Sequence, residues 1–485
     1  MKTIKKLHWI FYPLFLLSCT TADNNYYYDG NWDYQANPSE EKYKDYAENP
    51  FIKVSDQAIS TFSVDADGGS YANMRRFMAS GDTVPRAAVR IEEFLNYFTF
   101  DYADPAGNEN VALNSEVAIC PWNSNHYLLR LGMKGKSIPE SELPNSNFVF
   151  LIDVSGSMSY DDKLETLKAG FKLMTDQLRD NDRVAIVTYA GSAGVLLEST
   201  KGSEKKAIKA AIDKLGAGGS TAGAQGIITA YEIAQKNFIE GGNNRIIIGS
   251  DGDFNVGPSS TEELTKLIEK KRDTGIYITT LGVGTGNLND HMMEQIANKG
   301  NGNYEYIDCA NELVKIFVNE KSKFYTVAKD SKIQITFNPD RVEQYRLIGY
   351  ENRALKNEDF ENDTTDAGEI GAGQTITALY EIIPTLNLSA TSFAQFDFRY
   401  KKPNETDSRL LKHSVTSTAK PMATASDDMR FASALAAFGL IIKHSQYIGS
   451  ASKQMVLDLG KTAITYDPNK YRSSFIEIIN NWQPK

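Results

Sequence analysis

The run Phe148-Val149-Phe150-Leu151-Ile152 is apolar at every position. A strand with one wet face alternates apolar and polar residues, so a strand without a polar member must be covered on both faces. The downstream chain can supply that cover. Leu164, Leu167, Phe171, Met174 and Leu178 fall at helical spacing. Next come a strand at Val184–Val187, helices over 205–215 and 222–238, and a strand at Ile246–Ile248. A helix over 261–273, a strand at Tyr277–Leu281, a helix over 290–298 and a short strand at Tyr304–Ile307 complete the series. Strands alternating with helices of this length specify βα units around a mainly parallel sheet, so the expected class is α/β.

The segments on either side read differently. Ile59–Val64, Ala112–Ile119 and Tyr127–Leu131 are strand-like, with helical patterns at Tyr71–Met78 and Ala87–Phe98. After about 320, Lys332–Phe337 alternates cleanly, and Arg346–Ile348, Thr375–Ile383, Phe393–Tyr400 and Leu410–Val415 are further strands. Asp427–Ser445 is a strongly apolar helix, and two more helical stretches close the chain. The expected architecture is an α/β unit over 146–320 inserted between β-rich segments, 49–145 and 321–485, that pair into one sandwich, with helices at the C-terminal end.

The chain begins with Lys2, Lys5 and Lys6, then a mostly apolar stretch from Leu7 to Leu17 broken by Pro13. That stretch suits a signal peptide over 1–18 and is too short to span a bilayer. It ends in Leu16-Leu17-Ser18-Cys19, which resembles the bacterial lipobox. The resemblance implies a lipid on Cys19, a flexible tether over 19–48, and a protein held on a membrane in the cell envelope without crossing it. Thr20 after the cysteine, not Asp, favours an outer membrane. Only Cys120 and Cys309 remain; they could form one disulfide or stay as two thiols, and neither sits in a zinc-type cluster. The net charge of -10 speaks against non-specific nucleic-acid binding, which needs a basic surface.

The chemistry gathers where the first buried strand ends, in Asp153-Val154-Ser155-Gly156-Ser157. In extended backbone, alternate residues point the same way, so Asp153, Ser155 and Ser157 can converge beyond the strand's carboxyl end. Open α/β sheets bind ligands there. Hard oxygens with one formal charge suit Mg²⁺, with Mn²⁺ or Ca²⁺ as substitutes. Two other loops offer further oxygens: Thr221 in Gly218-Gly219-Ser220-Thr221, and Asp251 in Gly249-Ser250-Asp251-Gly252-Asp253.

In that order and context, these three motifs resemble the von Willebrand factor type A (VWA) domain with its metal-ion-dependent adhesion site. Asn49-Pro50-Phe51, Ser60–Asp65 and Val89-Arg90-Ile91-Glu92-Glu93 are similar to the N-terminal domain of bacterial VWA lipoproteins. Arg346–Arg353 and Asp366–Gly373 are similar to their C-terminal domain of unknown function. The resemblance implies a Rossmann-like VWA domain and a cation held by Asp153, Ser155, Ser157, Thr221 and Asp251. It also implies a vacant coordination position filled by a carboxylate of a partner protein, and no catalysis.

Two other functions compete. One is a metal-assisted hydrolase, which needs a general base and has only Asp253 nearby to supply it. The other is an envelope-assembly scaffold whose flanking domains bind while the metal site is vestigial. The simplest structural reading makes Asp-x-Ser-x-Ser a strand-to-helix turn, since Ser and Asp cap helices well. Thr221 and Asp251 weigh against it. No nucleotide site is expected: Gly460-Lys461-Thr462 has Met455 where a phosphate loop needs Gly, and Gly282–Gly286 has Asn287 where a dinucleotide fingerprint needs its third Gly. No HExxH or Gly-x-Ser-x-Gly pattern occurs.

Overall fold

The structure is a computed structural model that describes residues 40–219, 223–252, 261–272, 274–385, 391–416 and 418–483. The expected signal peptide and Cys19 lie outside the described residues.

The central unit is a six-stranded sheet. From edge to edge it runs Tyr304–Ile307, Ile276–Val283, Asn243–Ser250, Ser146–Asp153, Arg183–Tyr189 and Ala193–Lys201. The first five strands are parallel and the last is antiparallel. All eight residues of Ser146–Asp153 are buried, as its apolar composition requires. Its side chains alternate between two cores. Val149 and Leu151 pack with Ile227, Ala230 and Tyr231 of the Gly223–Lys236 helix. Phe148, Phe150 and Ile152 face Leu167, Phe171 and Met174 of the Thr166–Gln177 helix. The antiparallel edge strand is an addition to the expected series, because Ala193–Lys201 is mostly exposed and carries no buried alternation.

The flanking segments do pair. Thr375–Pro384, after the central unit, lies antiparallel to Tyr127–Gly135, before it, with Thr375 opposite Lys134 and Ile382 opposite Tyr127. Val111–Ile119, Val342–Ile348 and Ile52–Lys53 complete that sheet. In a second sheet Thr326–Phe337 pairs with Ile59–Ser63 and Ala394–Lys401. Phe337 of one sheet stacks on Tyr345 of the other at 4.2 Å between ring centroids, and both belong to one apolar core. The Asp427–Ile442 helix is buried along most of its length and packs on the Ile91–Asn96 helix through Phe94 and Phe438.

Several bonds tie the parts together, among them Arg75 to Asp308 and Asn352 to Glu294, and two bear on the site. Arg90 donates to Asp290 at 2.6 Å, joining the N-terminal segment to the Asp290–Lys299 helix of the central unit. Residues 40–42, inside the stretch expected to be tether, bind the loop before that helix. Glu40 N–H donates to Gly286 C=O and Lys42 N–H to Leu288 C=O, both at 2.8 Å. Cys120 and Cys309 are unbonded to one another. No helix among the described residues is long and apolar enough to cross a membrane.

Candidate functional site

Parallel pairing brings the carboxyl ends of three strands to one edge. Asp153 stands opposite Tyr189, and Ile152 opposite Gly249, so Ser250 and Asp251 emerge beside Asp153. The chain turns sharply after Asp153 and is pinned to its neighbours. Val154 N–H donates to Tyr189 C=O at 3.0 Å, Gly218 N–H to Val154 C=O at 2.7 Å, and Gly156 N–H to Gly219 C=O at 3.0 Å. The first loop is therefore fixed to the segment that leads into Thr221. Thr221 itself, with Ser220 and Asp253, lies outside the described residues.

The side chains of the first and third loops meet. Ser155 N–H donates to Asp153 Oδ1 at 2.9 Å, and Ser250 Oγ donates to Asp153 Oδ2 at 2.9 Å. The hydroxyls of Ser155 and Ser157 are 3.1 Å apart. Ser157 also bonds the Asp251 carboxylate, which accepts from Asn287 Nδ2 at 2.9 Å and Lys163 Nζ at 3.0 Å. Gly252 takes φ +82, and its N–H donates to Ser250 Oγ at 2.9 Å. A side chain there would collide with the backbone of Asn289, so this turn requires glycine.

The two carboxylates have unlike surroundings. Both are fully buried. Burial pushes the Asp153 carboxyl up to about 6, and the charge of Asp251 adds to the push against the opposing Ser155 and Ser250 bonds. Asp251 is also desolvated, but Asn287 and the Lys163 ammonium hold it below the ordinary carboxylate range. Among the described residues no cationic side chain bonds Asp153. A buried carboxylate beside another, ringed by hydroxyls and lacking its own cation, fits a hard divalent ion. On the rim Tyr160 is 68% exposed, with Lys163 Nζ 5.4 Å from its ring centroid.

Sequence reasoning missed three residues of this corner. Ser250 carries a signal, standing directly before Asp251 at a strand end. Lys163 and Asn287 carry none, since each is one polar residue in a turn and only the fold brings it to Asp251. Sequence spacing does not bring a second acidic group together either, although Asp65 and Glu93 each fall in a family-like motif. Carboxylate oxygens of Asp65, Asp67 and Glu93 lie within 4.8 Å of one another, all buried. Arginines already serve them: Arg353 bonds Asp65 at 3.0 Å and Asp67 at 3.4 Å, and Arg90 bonds Glu93.

Three stretches of the chain match known families. Residues 147–319 match the von Willebrand factor type A domain, 37–130 match a model described as von Willebrand factor, and 322–484 match the C-terminal region of uncharacterized protein YfbK. The chain is 41% identical over 473 residues to uncharacterized protein YfbK of Escherichia coli (strain K12), covering 92% of this chain and 81% of that protein. Among solved structures, a von Willebrand factor type A protein from Catenulispora acidiphila is 17% identical, covers 75% of this chain and 89% of its own, and has a TM-score of 0.44. The conserved hypothetical protein BatB from Bacteroides thetaiotaomicron is 23% identical, covers 37% of this chain and 98% of its own, and has a TM-score of 0.32. With a VWA domain set between N- and C-terminal regions of matching kind, the chain belongs to the YfbK family.

Proposed function

We propose that this protein is a non-enzymatic, metal-dependent protein-binding module, anchored in the cell envelope through a lipid on Cys19. The cation, Mg²⁺ by preference, would be held by Asp153, Ser155, Ser157 and Asp251, with Thr221 from the second loop. Bound there, it offers an electrophilic position to a carboxylate of the partner protein. The chain's own part is to orient the oxygens and to limit their charge, so that the cation is not fully neutralised.

One observation carries the reading. Asp153 is buried, has no cationic partner among the described residues, and sits within a cluster of hydroxyls at the ligand-binding edge of an α/β sheet. A helix-capping turn does not need a second buried carboxylate beside it.

The test is affinity capture by the full chain in Mg²⁺ against EDTA, repeated with Asp153→Ala. Partners that elute with EDTA and never bind Asp153→Ala support the proposal. Capture that is equal in EDTA, or equal for Asp153→Ala, refutes it.

A further inference from the structure

Lys163 sits in the turn over Asp161–Glu165, directly under the candidate metal corner. It is almost fully buried, at 2% exposure. Its ammonium donates to Asp251 Oδ2 at 3.0 Å and to Asn287 Oδ1 at 2.6 Å. Its stem crosses Gly284, where φ is +78 and a Cβ would collide with the lysine Cγ and Cε. The chain thus makes room for this side chain. A lysine is a strongly hydrated point charge that is seldom buried without a partner, and its partner here is one of the two carboxylates of the site.

We propose that Lys163 is a built-in competitor of the metal. Its ammonium holds Asp251 while no divalent ion is bound, and it opposes the ion by sharing that carboxylate and by like-charge repulsion. The inference rests on the metal-site reading above and adds the residue that sets the site's affinity. The two carboxylates then divide the work. Asp153, which no cation bonds among the described residues, draws the ion in. Asp251 is already half neutralised and keeps the ion's hold weak. Asn287 bonds both Lys163 and Asp251, so the lysine, amide and carboxylate form a closed triangle that keeps the third loop in place when the site is empty.

The probe is Mg²⁺ alone, titrated calorimetrically into the full chain, into Lys163→Met, which keeps the stem and removes the charge, and into Lys163→Arg, which keeps the charge. Lys163→Met is expected to bind Mg²⁺ about tenfold or more tightly than wild type, as an opposing charge at this range implies. Lys163→Arg should show no such gain. In EDTA, Lys163→Met should melt below wild type, because Asp251 is left buried and unneutralised, and saturating Mg²⁺ should close the gap. If Lys163→Met does not fold, Lys163→Gln, which retains a donor, takes its place. Binding that Asp153→Ala abolishes but Lys163→Met leaves unchanged or weaker overturns this inference alone. No Mg²⁺ binding by wild type or by Lys163→Met overturns the metal reading with it.

Discussion

Two groups of buried carboxylates lie along one stretch of chain, from Asn287 to Glu294. At the strand-end corner, Asn287 and Lys163 both reach Asp251, and neither bonds its neighbour Asp153. At the domain junction, Asp290 bonds Arg90, and Glu294 accepts from Asn352 at 2.5 Å. There Arg90 and Arg353 also serve Glu93, Asp65 and Asp67. The junction carries its own cations and uses them to join three parts of the chain. The corner, among the described residues, leaves Asp153 without one. On the proposed reading, glue and binding site differ in whether the chain supplies the counter-charge itself.

The contrast can be broken at its strongest point first. Arg90→Met leaves Asp290 buried without its cationic partner, and removing one partner of a buried pair costs about 3–5 kcal/mol. Urea denaturation should show a loss of that size, and a loss below about 1 kcal/mol would place the junction's stability elsewhere. Asp153→Ala is the counterpart at the corner. It should reduce Mg²⁺ binding by about a hundredfold or more, since even the groups that merely orient a metal's ligands are worth about 10–100-fold, while the melting temperature in EDTA holds or rises. A large drop in stability would show that Asp153 is structural glue after all.

Acidity sharpens the comparison further. Burial pushes both Glu92 and Glu93 up to about 8; the charges of Glu351 and Asp65 add to the push on Glu92, while Arg90 opposes it on Glu93. Each is thus raised above its unfolded value near 4.3. The stability they contribute is complete below that value and is lost as pH rises through about 8. Stability in denaturant titrations should therefore fall from pH 5 to pH 9 by several kcal/mol, on the order of 4 kcal/mol for each group. Glu92→Gln should flatten part of that fall, and an unchanged slope would remove Glu92 from the account. The smallest effect belongs to the rim. Tyr160→Ala, at an exposed position, should weaken partner binding roughly fivefold to tenfold and leave stability within about 0.5 kcal/mol. Unchanged binding would place the partner's footprint away from Tyr160.

The sequence carried the central sheet well, because burial on both faces writes an apolar run such as Phe148–Ile152 that few other structures explain. It also carried the pairing of the flanks, since Lys332–Phe337 and Thr375–Ile383 alternate or run apolar as sandwich strands must. Asp153, Ser155, Ser157 and Asp251 could be singled out because strand ends and glycine turns mark where loops gather. Lys163 could not. A lysine at a helix start looks like a solvated residue, and only the path of the stem over Gly284 turns it inward. Arg90 and Arg353 fall in family-like motifs, but their burial was hidden for the same reason: pattern reading puts charges outside, and these are inside because buried carboxyl groups await them. The Ala193–Lys201 strand escaped because an exposed edge imposes no period on its side chains.

The pairing of residues 40–42 with the loop at Gly286–Leu288 has a mechanical meaning. Among the described residues, a pull applied to residues 40–42 is shared by two peptide hydrogen bonds on either side of Asn287, whose amide bonds Asp251, and by the Glu41 carboxylate, which accepts from Gly286 N–H and Arg76. A displacement of residues 40–42 would thus reach the Asp251 corner through one loop and the Gly69–Ala79 helix through the Glu41–Arg76 pair, so the chain's first described residues are clamped between two parts of the fold.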